Sequence, residues 1–365
     1  MFRLRRYLLG FLLFSIVSGD ELDMIFSPQR CFYSAGVKSL GDAGVANPLD
    51  LSSGLINPAL VYSYLKKNKQ INGNISAGYA RDSLFNGHIV PVGIGYSTGD
   101  GALGGFYRLL IGDPKKIQNE YVVNMSGILA GPSIDENGNV AMGQVDFGLN
   151  IRCEVFSWKM RPLGPFDSLP LIIDSKINEK RLILDVGLYQ SNVTNNLDFA
   201  LTMRNLLGYL WTDEKPVIKD SLHKEFLPDG DSVVSKELFY SQTSEKNKGW
   251  LKSKYRTITA GIVYHLDMGG GAYAISLPID FEILGLFDKH TKNLYIFRGG
   301  IAATIQKHFS IRLGYSRTPG PMESGWKEVK KMNVFTGGAG IIMEPVALDF
   351  YLSDKTFGTS VSCNF

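Results

Sequence analysis

The sequence predicts an all-β fold: a transmembrane antiparallel barrel of about 14 strands, preceded by a segment that does not alternate. Three observations predict it. Apolar and polar residues alternate along one stretch after another. The chain opens on an export signal. The final residues, Phe357 to Phe365, form an alternating strand that stops on an aromatic. Soluble domains rarely end that way, because termini fray and face water. A barrel in lipid must pair its last strand with its first and show one face to hydrocarbon.

Taken in order, residues 1–19 read as a signal peptide: Arg3, Arg5 and Arg6 supply the positive region, Leu8 to Val17 the apolar run, and Ser18 and Gly19 the small residues before cleavage. That run is too short for a spanning helix, which needs about 20 residues. Residues 20–64 do not alternate and read as a separate segment; 65–365 carry the barrel. Candidate strands fall at 71–80, 87–97, 102–112, 119–128, 143–156, 181–190, 196–207, 255–266, 271–285, 293–305, 307–317, 332–343, 345–353 and 356–365. Val145, Phe147, Leu149, Ile151, Cys153 and Val155, for example, alternate with Asp146, Arg152 and Glu154 on the opposite face. The polar stretch 211–254 reads as a long external loop with room for a hairpin or helix. The proline-bearing stretch 161–179 reads as a second connection.

Composition narrows the function. A net charge of +3 argues against a nucleic-acid partner. Forty glycines with 21 Phe and 17 Tyr favour strands and turns. Tyr79, Tyr96, Tyr107, Tyr189 and Tyr315 are candidates for aromatic girdles. The cysteines at 31, 153 and 363 suit neither a disulfide framework nor a metal site. The five histidines lack ligand spacing, no Gly-x-Ser-x-Gly elbow is present, and no cofactor or enzyme activity is expected. A Ser/His pair contributed by separate strands stays open, since such sites are spatial.

The segment after Cys31 is informative. Ser34 to Ala46 is packed with small residues, and Asn47-Pro48 and Asn57-Pro58 force extended or turn geometry. Small side chains let such a segment pack against a barrel wall. Its order, Ala-Gly-x-x-x-Leu-Gly-x-Ala-Gly-Val-Ala, then an acid, then Ser-x-x-x-x-Asn-Pro-Ala-Leu, resembles the N-terminal signature of FadL-like outer-membrane proteins, which include long-chain fatty-acid transporters and the PorV/PorQ proteins of type IX secretion. The likeness is tight from Ala35 to Leu60 and loose beyond, with Lys38 and Asp42 as departures.

The resemblance implies an outer-membrane barrel plugged by an N-terminal hatch. Carried over residue by residue, Gly41, Gly44, Asn57, Pro58 and Ala59 become hatch residues. Gly36, Leu40, Val45, Leu55 and Leu60, with Leu49 and Ile56, extend that set toward an apolar ligand path. The polar strand faces put Asp146, Arg152, Glu154, Asp185, Asp198, Arg204, Arg256, Asp280, Glu282, Arg298, Arg312 and Asp349 in the lumen. Both signs are present, which suits salt bridges and not a single-sign ion pore. Phe365 is the expected assembly signal. The expected partners are outer-membrane lipid, the barrel-assembly machinery, and either a hydrophobic small molecule such as a fatty acid or secretion-system proteins.

Overall fold

A computed structural model of the chain describes residues 33–67, 73–82, 87–112, 116–134, 140–160, 175–194, 196–215, 217–226, 232–241, 245–251, 255–269, 272–285, 293–318, 332–353 and 356–365. The expected signal peptide and Cys31 lie outside these. Three short elements come first: α1 (Ala35–Ser39), a 3-10 turn (Leu51–Leu55) and α2 (Leu60–Lys67). The barrel strands follow as β1 (Gly73–Asp82), β2 (Gly87–Ser97), β3 (Gly101–Gly112), β4 (Lys116–Ala130), β5 (Val145–Met160), β6 (Ser175–Thr194) and β7 (Leu197–Lys215). The second half holds β8 (Thr257–Met268), β9 (Tyr273–Leu284), β10 (Leu294–Ile305), β11 (Phe309–Thr318), β12 (Met332–Met343), β13 (Val346–Ser353) and β14 (Thr356–Asn364).

Each strand pairs antiparallel with its sequence neighbours, and β14 returns to β1, so the 14 strands close. The seam runs from Asn74↔Asn364 to Asp82↔Thr356. Gly73 and Phe365 extend it with two backbone hydrogen bonds, of 2.9 and 3.0 Å. Closure leaves no edge, which lipid requires because hydrocarbon offers no partner to a free N–H or C=O.

One strand shows the two faces plainly. On β6, Ile183, Asp185, Gly187 and Tyr189 are buried inward, so Leu182, Leu184, Val186 and Leu188 point out. The same period exposes Ile94, Val123, Ile262, Ile311 and Leu313 on other strands. A continuous apolar belt of this kind faces lipid and not water. Tyr79 and Tyr96 stand exposed on it, but Tyr189 does not join a girdle: it is 5% exposed and turned into the lumen by its bond to Asp198.

The two ends differ. At the end that holds Gly73 and Phe365, two to four residues link β2–β3, β6–β7, β8–β9, β10–β11 and β12–β13, and only the β4–β5 connection is long; the other end carries the long connections β5–β6, β7–β8, β9–β10 and β11–β12. That asymmetry is the one outer-membrane barrels show between periplasm and exterior. The wall is also uneven in height. β4 to β7 run 15, 16, 20 and 19 residues against 8 to 12 for the other strands. At about 2.5 Å of height per tilted residue, β6 rises well past an apolar band about 25 Å tall. Part of 211–254, expected as loop, is therefore sheet. β7 continues to Lys215, Glu245–Trp250 pairs with its upper half, and Val217–Phe226 pairs with Ser232–Ser241 as a hairpin. Pairing with Glu245–Trp250 gives the backbone of β7 a partner where β8 has already ended.

Deleting Phe365 removes the two bonds to Gly73 and the terminal aromatic at the seam. The expected result is a lower yield of the heat-modifiable folded form on a gel, with unchanged thermal unfolding of whatever fraction does insert, to within about 1–2 kcal/mol.

Candidate functional site

The lumen is occupied by the N-terminal segment. Ser34 caps α1 by accepting the Val37 N–H at 3.2 Å, and Asp50 caps the 3-10 turn through a reciprocal pair with Ser53. Between them Gly41 and Asp42 take φ of +69° and +63°, a left-handed step open to glycine and tolerated by aspartate. Val37, Val45, Leu51, Leu55, Leu60 and Leu65 bury against each other and against Phe106, Val122 and Val263 of the wall. Leu40 is fully buried, and Leu49 and Ile56 join the same packing. The apolar residues expected along a ligand path thus form the plug's own core.

Irregular backbone at membrane depth needs polar partners, and the wall supplies them side chain by side chain. Asp280 accepts the N–H groups of Gly44 and Val45 at 2.7 and 3.0 Å. Thr336 accepts from Gly41 at 3.0 Å, and Ser360 from Ala35 at 3.2 Å. Asn124 donates to the Pro58 carbonyl at 3.0 Å, and Asn150 to that of Gly54 at 2.8 Å. Asn57 works in reverse: its amide reaches the carbonyls of Val45 at 2.9 Å and of Leu188 on β6 at 3.0 Å. On α2, Ser63 donates to Asp146 at 2.6 Å, closing the short-turn end.

Close approach is allowed by wall glycines. A Cβ on Gly148 would overlap Pro58 and Ala59, and one on Gly187 would overlap Asn57. On the far side, Gly314 leaves room for Leu40 and Gly41. Gly36 sits where a Cβ would lie 2.8 Å from Leu49. Lys38 and Asp42, the two departures from the family pattern, pair with each other at 2.6 Å. Burial raises the Asp42 and Asp50 carboxyls above the ordinary aspartate value, opposed mainly by Lys38 at the first and by a Ser34 hydrogen bond at the second.

Above the plug the inner wall carries a buried ionic cluster. Arg152 meets Asp185 at 2.7 Å, Glu154 at 3.0 Å and Glu120 at 3.2 Å. Glu120 also holds Arg108 at 2.7 Å, and Arg181 joins through Glu154 and Glu179. Tyr33 at the start of the plug accepts from Arg204 at 2.8 Å, while the Arg108 guanidinium stands 4.9 Å from its ring centroid. A bulge in β7 builds one corner. The pairing steps from Leu184↔Leu207 to Val186↔Met203, and Asn205, at φ +55°, donates its N–H to Asp185 at 2.7 Å. Across the lumen Glu282 pairs with Arg298 at 3.0 Å and Asp349 with Arg312 at 2.5 Å. Arg256 lies one residue before β8 and half-buried, outside these clusters.

The alternation that points to Arg152 also runs through Arg108, Glu120, Glu179 and Arg181, so period alone places these on the inner face. Asn124 and Asn150 share that period but carry no charge, and an inward uncharged residue is generic in a barrel; Tyr33 in the plug and Asn205 in the bulge lie outside it. At the short-turn end Asp198 accepts from Tyr189 at 2.7 Å and from the Asn192 N–H at 2.9 Å, and meets His265 at 3.1 Å. Ser276 lies 3.1 Å from the other ring nitrogen of that histidine. With both carboxylate oxygens engaged and one closing the β6–β7 turn, the group ties β6 to β9 together.

Nearer the long-loop end apolar side chains stand among the polar ones on the inner face. Ile89, Leu110, Phe156, Leu284, Leu294 and Ile296 face inward there, several of them packed in small buried clusters. A water-filled pore has a polar interior at this level.

Closed strands, a lipid-facing belt and an internal plug define the class: an outer-membrane β-barrel with an occupied lumen. No family model and no curated protein sequence matches the chain. Among solved structures it is similar to CymD, a monoaromatic hydrocarbon channel, with a TM-score of 0.56 at 10% identity, covering 91% of this chain and 97% of that one. It is also similar to the toluene transporter TodX of Pseudomonas putida, with a TM-score of 0.52 at 10% identity, covering 90% and 97%. At these identities the likeness is one of fold.

Asp280→Ala leaves two plug N–H groups without their acceptor, at about 1–3 kcal/mol each. The expected outcome is a folded barrel whose plug is cut faster by protease and whose conductance in a planar bilayer rises. Asp280→Asn, which keeps an acceptor oxygen, recovers most of the wild-type behaviour.

Proposed function

We propose that the chain is a passive, FadL-like channel that lets small hydrophobic molecules cross the outer membrane. The single observation that carries this reading is the set of inward apolar side chains toward the long-loop end, Ile89, Leu110, Phe156, Leu284, Leu294 and Ile296, in a barrel whose plug is held by individual hydrogen bonds. An apolar solute leaving water gains about 25 cal/mol per Å² of surface it buries, so apolar side chains along the lumen favour its entry without any energy source. The plug then decides passage, since its hooks to Asp280, Thr336 and Ser360 can be released one by one. The fold shared with two hydrocarbon channels supports the reading. Fatty acids are the finer proposal for the cargo, on the strength of the Ala35–Leu60 signature.

A second reading, a PorV/PorQ-like accessory that binds exported proteins or translocon subunits, is favoured by one feature. The raised wall of β5 to β7, with its hairpin from Val217 to Ser241, offers a large external surface that passage of a small solute does not require. Assembly by the barrel-assembly machinery is proposed for either.

Proteoliposomes test the choice. Uptake of a fluorescent fatty acid is expected to exceed that of empty vesicles, to fall severalfold in Ile296→Lys, and to be unaffected by removing residues 217–241. Uptake no faster than empty vesicles, with co-purifying proteins lost on removing that hairpin, would favour the second reading.

A further inference from the structure

The outer surface of the raised wall carries a pattern that neither the plug nor the lumen explains. On β6, Lys180 is exposed immediately above the outward apolar run from Leu188 up to Leu182. In register it stands opposite Trp211 of β7, and Trp211 stands opposite Lys248 on the strand Glu245–Trp250. One row therefore reads lysine, tryptophan, lysine across three adjacent strands. The row beneath reads Leu182, Tyr209, Trp250. Tyr209 lies 4.7 Å from the Trp211 ring and 5.4 Å from the Trp250 ring, centroid to centroid, so the three aromatics form one surface. Trp250 is 71% exposed, and Lys180 and Lys248 make no ion pair with a described residue.

Geometry gives this row a place in the membrane. Leu182 to Leu188 span much of an apolar band about 25 Å tall, which puts Lys180, Trp211 and Lys248 at the headgroup level of the outer leaflet. Strands lie about 4.8 Å apart, so the two lysine backbones are about 10 Å apart with the indole between them. Ammonium groups on four-carbon stems converge over that span, and an anion resting above the indole is reached from both sides. The ring cluster offers acyl chains and sugar faces an apolar shelf directly below. Asp213 is the acid in the next row up, between Asn178 and Lys246 in register.

We propose that the Lys180–Trp211–Lys248 row is a docking site for the phosphate-bearing headgroup of an outer-leaflet lipid. Two cations flanking one position select phosphate over a neutral headgroup, and the aromatic shelf selects an acylated anion over a free one. The site stands apart from the transport path and does not rest on it.

The test uses the purified full chain in detergent, titrated with an acylated diglucosamine bearing two phosphates and with the same lipid after phosphate removal, bound lipid being counted by native mass spectrometry. The phosphorylated form is expected to bind at least tenfold tighter. The variant K180Q/K248Q is expected to lose about fivefold per lysine, or about 25-fold together. W211A weakens both lipids, while R317Q, a rim cation set opposite Phe297 and Asn333 instead, leaves binding unchanged. Heat-modifiable migration confirms that each variant is folded. Equal binding of the two lipids, or no loss in K180Q/K248Q, would overturn the site. An equal loss in R317Q would replace it with a diffuse cationic rim, and competition by micromolar inorganic phosphate would reassign it to free anions.

Discussion

Every backbone N–H and C=O at membrane depth must find a partner inside the protein, and the whole structure is an answer to that requirement. The strands answer it by closing on themselves through β14 and β1. The plug cannot, because its glycines and Asn-Pro steps forbid a long helix or strand. Its backbone is instead met by wall side chains, with Asp280, Thr336, Ser360, Asn124 and Asn150 each taking one or two groups. Those contacts need the plug close to the wall, and wall glycines such as Gly148 and Gly187 make that distance available. Small residues on both sides of the contact follow from one physical need.

The ionic clusters serve the wall more than the plug. A buried ion pair contributes little net stability, yet removing one member costs about 3–5 kcal/mol because the other charge is stranded. Arg152, with three carboxylates around it, therefore fixes the packing of β4 to β7 and the bulge at Asn205. The plug meets that cluster through Tyr33, and elsewhere is held by hydrogen bonds to its backbone and to side chains such as Asn57 and Ser63. The packing of the wall therefore does not depend on the hydrogen bonds that seat the plug. Lys38 and Asp42, which depart together from the family pattern, compensate each other within the plug.

The fold was legible because a barrel writes itself into sequence as period two. The fourteen alternating stretches correspond one for one to β1–β14, and the strand ending at Phe365 forms the seam. Height was not legible: β6 and β7 run on past the lipid band, where outward residues such as Lys180 and Asp213 are polar and the alternation that marks a lipid-facing strand fades. Pairing was not legible either. Period assigns Arg152 and Glu154 a face, but which carboxylate an arginine meets depends on register across strands and on the bulge at Asn205, which no local pattern announces. The small-residue run from Ser34 to Ala46 signalled close packing; that Gly314 and Gly187 are the surfaces it packs on required the topology. Asn124 and Asn150 stayed hidden for a plainer reason, since an inward amide serves equally well against water.

The account turns on the plug being seated on the wall and lying in the path of the solute. Ser52 in the plug and Ser76 on β1 place their hydroxyl oxygens 3.5 Å apart, so S52C/S76C joins the two with little movement. The account predicts that this pair oxidises in the folded barrel, that uptake of a hydrophobic probe into proteoliposomes then falls to the level of empty vesicles, and that a reductant restores it. A barrel that forms the crosslink and still transports at the full rate would contradict it.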